Sequence, residues 1–292
     1  MVGLIEQLRE NQEKFTSAQR KLAKFLLENL EKVAFMSTST LARMAGVSEA
    51  TVIRFSQLVG YKGFPELKEA LREIVLRRLD TSKRLSDYIK TEEGDHILLK
   101  ILKKEKAILD LLIETASVND FEKVVDAIEK AKRIFIISHR SVYAIGYYLS
   151  FYLNLLGYQN FLLKGKELSY ELLSSSKEGD LAIAITFPRY SAETVELFSF
   201  AVQRNIETIA ITDDYLSPIA SKASYVLSVP TDFISFVDSL TAPMSLINAI
   251  IVALSLKKPE EYKARLENLE KIWKSKNIYW QEKIKEAEED EK

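Results

Sequence analysis

Two groups of residues have the types and spacing that recognition chemistry requires. The first lies between 48 and 60. Ala50, Ile53, Arg54 and Gln57 fall on one stripe of a helical segment, and Val52, Phe55 and Val59 fall on the opposite one. Arg54 suits guanine edges or phosphates, and Gln57 suits adenine. Ser48 reads as the N-cap, with Glu49 in the first turn where the helix dipole favours a carboxylate. Ser48, Thr51 and the free amides at the helix start can hold a phosphate. With the nearby Lys62, these residues make a surface suited to double-stranded DNA. A purely structural helical hairpin is the alternative that this spacing leaves open.

The second group gathers at three strand-to-helix turns: Ile136-Ile-Ser138-His139-Arg140-Ser141, Ile185-Thr186-Phe-Pro188-Arg189-Tyr190-Ser191-Ala-Glu-Thr194, and Ile211-Thr212-Asp213 through Ser217-Pro218. In the middle turn Ser191 reads as an N-cap, Arg189 adds a fixed positive charge, and Thr186 and Thr194 add hydroxyls on either side. Hydroxyls, amides and one guanidinium suit a phosphate monoester. Ser138, Arg140 and Ser141 offer similar chemistry in the first turn. His139 there reads equally well as a surface or subunit-contact residue. Ser217 before Pro218 has the simpler reading of a cap with proline at the first helical position.

Positioning these groups requires two kinds of architecture. Over residues 1–80 the periodicity is helical. Thr16-Ser-Ala-Gln19 is a capping box, and Leu22, Phe25, Leu26 and Leu30 follow at helical spacing. Gly46 supplies a tight turn between a helix carrying Leu41, Ala42 and Ala45 and the one carrying Arg54. Beyond residue 132, apolar runs at 133–137, 161–163, 181–185, 207–211 and 225–229 read as strands covered on both faces. Helical patterns at 142–156, 167–175 and 192–204 separate most of them, which predicts βαβ units and a parallel sheet. Helices near 237–256 and 260–288 close the pattern. The apolar residues Leu266, Leu269, Ile272, Trp273 and Trp280 of the last one could face either its own domain or another subunit. The expected domains are 1–80, a polar linker at 81–95, and 96–292.

Composition narrows the functions available. The chain has 292 residues, a net charge of −1 and no cysteine, so thiolate chemistry and zinc ribbons are excluded. His96 and His139 are its two histidines, too few for a histidine-rich metal centre, and no cofactor is expected. The start shows no signal-peptide pattern, and the apolar stretch at 246–256 is too short to span a bilayer. A cytoplasmic protein is expected. Over 38–78 seven cations face four carboxylates, a small surplus on a chain with negative total charge. Charge this weak suggests that affinity for DNA comes from pairing two heads.

The N-terminal half resembles the helix–turn–helix domain of the RpiR family of bacterial transcriptional regulators. The resemblance lies in Ala34-Phe-Met-Ser37, Leu41-Ala42, Gly46-Val-Ser48-Glu-Ala-Thr51-Val-Ile-Arg54-Phe and Gly60-Tyr-Lys-Gly-Phe64. The second half resembles the sugar isomerase (SIS) domain that such regulators carry, through Gly179-Asp-Leu-Ala-Ile-Ala-Ile-Thr186, Tyr190-Ser-Ala-Glu-Thr194, Ile211-Thr-Asp213 with Ser217-Pro-Ile-Ala220, and Asp238-Ser-Leu-Thr-Ala-Pro-Met244. The resemblance implies an α/β chain: an all-α helix–turn–helix bundle followed by a flavodoxin-like three-layer α/β/α domain with a parallel sheet. It implies a regulator that senses a phosphorylated sugar or related metabolite and binds operator DNA as a homodimer or homotetramer. The family's phosphate contacts map onto Thr186, Ser191 and Thr194. Two departures stand out: the first turn lacks the usual glycines, and Phe187-Pro-Arg189 extends the second. An enzymatic alternative, a phosphosugar isomerase with an accessory helical domain, would need a base such as His139 or Glu193. A third reading gives the SIS-like half a role in assembly alone.

Overall fold

A computed structural model describes residues 8, 15–33, 36–78, 81–91, 96–215 and 217–280. The chain divides into two compact units, residues 1–94 with 235–237 and residues 95–234 with 238–292.

The first unit is helical: α1 (Ser17–Glu28), α2 (Leu30–Val33), α3 (Thr38–Ala45), α4 (Glu49–Leu58), α5 (Phe64–Arg78) and α6 (Thr81–Thr91). The capping box forms as the sequence predicts, with Thr16 and Gln19 each accepting the other's backbone amide. Leu22, Leu26, Leu41, Val52, Phe55 and Leu67 meet in one core, where the Phe15 and Phe55 rings pack edge to face. The segment 81–95, expected as a polar linker, carries the helix α6. Its sequence of Lys, Arg, Ser and Asp with one apolar residue per turn is compatible with a solvated helix. Ala34 and Phe35 of the resemblance lie outside the described residues.

The second unit opens with α7 (Ile97–Thr115) and α8 (Val118–Lys130). It continues as β1 (Ile134–Ile137), α9 (Tyr143–Leu156), β2 (Asn160–Leu162), α10 (Lys166–Ser174), β3 (Leu181–Ile185), α11 (Ala192–Gln203), β4 (Glu207–Thr212) and β5 (Tyr225–Ser228). It closes with α12 (Thr241–Lys257) and α13 (Pro259–Ser275). All five strands are parallel, in the order β2-β1-β3-β4-β5. The expected helix at 237–256 starts later, because Val237–Asp238 is a short strand. The part of the last expected helix beyond 280 lies outside the described residues. Among these residues no helix is long and apolar enough to cross a membrane.

Side-chain size sets the layers. Ile134, Ile136, Leu181, Ile183, Ile185, Ile209 and Ile211 point to one face, under α8, α9 and α12. Phe135, Ile137, Ala182, Ala184 and Ala210 point to the other, under Leu173 of α10 and Leu197 and Phe198 of α11. The alternation follows the two-residue period of a strand. The alanines on the second face give the bulky Phe198 room. At the start of the strands, Asp180 is 3% exposed and receives the Arg133 guanidinium and the Lys177 amide. Burial alone would push the Asp180 carboxyl up, but the hydrogen bonds from Arg133 and the Lys177 amide outweigh it and hold the carboxyl below its ordinary range.

This pair stabilises the folded state wherever the carboxylate is ionised. Asp180→Asn should lower unfolding stability by about 1–3 kcal/mol at pH 7, since Arg133 is only partly exposed. The folded carboxyl titrates below the unfolded one. The deficit relative to wild type should therefore be full above about pH 4 and shrink as pH falls through the folded value. Urea titrations at pH 7 and pH 3 check both parts.

Candidate functional site

The first candidate surface is the α3–α4 pair. Ser37 caps α3 by accepting the Thr40 amide at 3.2 Å. Gly46 ends the helix at φ +64°, and the Val47 amide then reaches back to the Ala42 carbonyl at 2.9 Å. Only glycine takes that backbone conformation without penalty, so the tight interhelical turn depends on it. Ser48 caps α4: its Oγ accepts the Thr51 amide at 3.1 Å and lies 2.8 Å from the Thr51 hydroxyl. Val52, Phe55 and Val59 are buried. Glu49, Ala50, Ile53, Arg54, Gln57 and Lys62 are exposed, and Thr51 is half-buried. The stripe of residues expected to meet DNA is thus displayed to solvent by a helix whose other side is locked into the core.

The second candidate surface lies at the carboxyl ends of β1, β3 and β4. In this strand order the chain leaves β1 toward α9 on one face of the sheet, and leaves β3 toward α11 on the other. Their divergence opens a crevice, the place where such sheets take ligands. The three turns are tied across it. His139 Nδ1 lies 2.8 Å from Thr194 Oγ1, joining the turn after β1 to α11. The Tyr190 hydroxyl donates to Asp213 Oδ1 at 2.9 Å, joining the turn after β3 to the turn after β4. Asp213 also accepts from the Thr212 hydroxyl at 3.2 Å, and its carbonyl accepts from Ser228. Thr186 is buried at the end of β3, and its Oγ1 accepts the Ser191 amide at 3.4 Å.

The expected site residues take different stations around this crevice. Ser191 has the extended backbone of an N-cap, but its hydroxyl makes no capping hydrogen bond and stays available at the helix start. Arg140, Ser141 and Arg189 are exposed, and Thr194 is buried. Ser138 is fully buried. Its hydroxyl has no hydrogen-bond partner, and it packs where a Cβ on Gly146 would stand. Arg140 and Arg189 hold φ of +58° and +64°, so each turn keeps a left-handed residue where a glycine-rich turn would place glycine. Ser217 accepts the Ala220 amide at 3.2 Å, a local cap in keeping with the plain role expected of it.

The sequence reading left His139 as a surface or contact residue, and the structure makes it the bridge of the crevice. Its Nε2 stands 3.3 Å from Glu193 Oε1 without a hydrogen bond. Burial lowers the imidazole pKa below its ordinary value, with Glu193 pulling weakly the other way. Tyr190 and Asp213 stood in the candidate turns without a role of their own; no spacing rule pairs residues from two separate turns.

A family model of the rpiR-type helix-turn-helix domain matches residues 2–75, and one of the SIS domain matches residues 127–253. The chain thus combines an rpiR-family helix-turn-helix domain with a SIS domain. It is 25% identical to an uncharacterized HTH-type transcriptional regulator of Caldanaerobacter subterraneus subsp. tengcongensis, over 95% of this chain and 99% of the relative. An uncharacterized HTH-type transcriptional regulator of Haemophilus influenzae is 29% identical over 73% of this chain and 74% of its own length. Among solved structures, the Vibrio vulnificus NanR protein complexed with ManNAc-6P matches with a TM-score of 0.60 at 24% identity, covering 93% of this chain and 98% of that one. The sugar isomerase domain of an RpiR transcription factor from Sphaerobacter thermophilus matches with a TM-score of 0.59 at 23% identity, covering 61% and 99%. These likenesses show that the chain shares the fold of both structures.

Two measurements check the geometry of these turns. Above the ordinary histidine range His139 is neutral in both the folded and unfolded states. Below about pH 6.5 the unfolded chain takes up a proton that the buried imidazole resists, so stability should fall until pH passes the folded value and then level off. His139→Gln should remove that part of the slope in chemical denaturation between pH 7.5 and 5. Gly146→Ala should lower Tm by several degrees, because the new methyl meets Ser138, and Ser138→Ala should restore part of the loss.

Proposed function

We propose that this chain is a DNA-binding transcriptional regulator whose SIS domain senses a phosphorylated sugar or related metabolite and thereby modulates operator binding. One conjunction carries the reading. An exposed Arg54–Gln57 stripe on a capped helix occupies one unit, and a crevice rimmed by hydroxyls, helix-start amides and two arginines occupies the other. In the head, Ser48, Glu49, Ala50, Thr51, Ile53, Arg54, Gln57 and Lys62 form the surface that meets the major groove. Arg54 and Gln57 read base edges, while Ser48, Thr51 and the first-turn amides position a phosphate. In the sensor, Thr186, Arg189, Ser191 and Thr194 hold the phosphate, with Ser138, Arg140 and Ser141 contributed by the first turn. The ligand in the NanR complex, ManNAc-6P, supports a phosphorylated sugar as the effector class.

In this proposal residues 1–80 are the DNA head, 81–95 the connection and 96–292 the sensor, in a cytoplasmic homodimer or homotetramer. The sensor is not a catalyst. The relatives are named as regulators. Nδ1 of His139 is engaged by Thr194, and Glu193 sits in the first turn of α11, where a carboxylate stabilises the helix. Because effector and operator bias one set of conformations, each alters affinity for the other by the same factor.

Arg54→Ala should weaken operator binding by about 1–3 kcal/mol, roughly 5- to 150-fold, with unchanged Tm and oligomeric state. Retained affinity in a gel-shift titration would remove Arg54 from the reading surface. In a thermal-shift screen of sugar phosphates, at least one compound should raise Tm when inorganic phosphate at equal concentration does not. Arg189→Ala and Ser191→Ala should each weaken that compound's binding about tenfold or more by calorimetry. Steady turnover of the compound in a coupled assay would favour the isomerase instead.

A further inference from the structure

Ile53 is an unusual choice for its position. It is 43% exposed, while Val52 and Phe55 of the same helix, with Val59 at its end, fill the core. Packing therefore does not call for an isoleucine at 53. Helix propensity does not either, because a β-branched side chain is stiffened in a helix and alanine, lysine or glutamate serves an exposed position better. A lone exposed apolar residue is ordinary, but the neighbours of this one are not. On the helix surface Ile53 has Ala50 three residues before it and Gln57 four residues after it, with Arg54 alongside. The exposed stripe thus has an apolar part, Ala50 and Ile53, set directly against a polar part, Arg54 and Gln57. Thr51 also carries a methyl group, but it is half-buried and its hydroxyl lies 2.8 Å from Ser48 Oγ.

We infer that Ile53 reads thymine: its side chain packs on the C5-methyl group of a thymine in the major groove, at or beside the A·T pair whose adenine Gln57 bonds. The inference rests on the DNA-binding function proposed above and deepens it from a surface to a base preference. Three points select this occupant. Thymine is the base that presents an apolar group on its major-groove edge. The N-terminal part of a recognition helix is the part that reaches base edges, and Ile53 stands there, whereas the exposed Leu58 stands at the far end. The third point is the mixture of chemistries within one helical turn. A protein partner seated on Ile53 would have to cover the Arg54 guanidinium and the Gln57 carboxamide as well and satisfy both. An A·T pair offers a methyl group for one neighbour and the adenine N6 and N7 for the other, side by side on one edge. Ala50 leaves room for this approach, since its single methyl keeps the helix backbone close to the floor of the groove.

The test uses the full chain and a randomised duplex DNA library, from which the protein first selects its preferred duplex. Each thymine of that duplex is then replaced in turn by deoxyuridine, which deletes the methyl group and keeps every hydrogen-bonding group. In gel-shift titrations wild type should lose about fourfold in affinity at one thymine of each half-site, the worth of one buried methyl. Ile53→Ala should bind the thymine and deoxyuridine duplexes equally, which assigns the coupling to this pair. Its circular dichroism and Tm should stay near wild type, because the position is exposed and alanine favours the helix. The wild-type arm acts on the DNA alone, so it decides even if the variant fails to fold. Wild-type affinity with deoxyuridine at every thymine, or a penalty that persists undiminished in Ile53→Ala, overturns the inference and leaves the DNA-binding function standing if Arg54→Ala still weakens the complex. Selection of no duplex at all defeats that function and this inference together.

Discussion

The reversal of strand order at β1 is the constraint on which the sensor half depends. Because β1 lies between β2 and β3, the chain must leave β1 and β3 toward opposite faces of the sheet. The isoleucines of one face receive α9, and the alanines of the other receive α11. The two turns therefore part at the carboxyl ends of the strands, the place where such sheets take ligands. The His139–Thr194 and Tyr190–Asp213 contacts then fix how far apart the turns stand. They hold three independent loops as a single rim, and a rim held rigid before a ligand arrives spends less ordering entropy on binding.

The head solves a different problem with simpler means. It needs one helix that is locked on one side and chemically active on the other. Phe55 anchors the locked side in the company of Phe15, while Ser48 and Gly46 fix where the helix begins and how it leaves its predecessor. Together the cap and the glycine decide where Arg54 and Gln57 stand on the exposed side of the helix.

Much of this was legible in the sequence because it is local. The capping box at Thr16, the left-handed Gly46, the inward Val52–Phe55–Val59 stripe and the five strands each rest on residues within a few positions of one another. The strand order and the pairing of turns are not local. His139 and Thr194 lie 55 positions apart, and no periodicity announces that one will accept or donate to the other. The burial of Ser138 was hidden for the same reason, since it depends on Gly146 one helix turn into α9 coming close. The helix α6 was read as a linker because its polar composition matches solvated loop as well as solvated helix. Composition also failed to assign an element to 118–130, where Ser117 caps α8 and Val124, Val125 and Ile128 complete the core.

Arg140 and Arg189 lead to one further consequence. Each combines two properties that usually belong to different residues: the mirror-image backbone that glycine adopts freely, and a permanent cation. An L-residue held there is less comfortable than glycine by about 1–2 kcal/mol. Relaxing either turn by mutation to glycine would strip away its guanidinium, so backbone comfort and positive charge pull in opposite directions at both positions. The resting molecule thus carries tension concentrated in the two turns that follow β1 and β3.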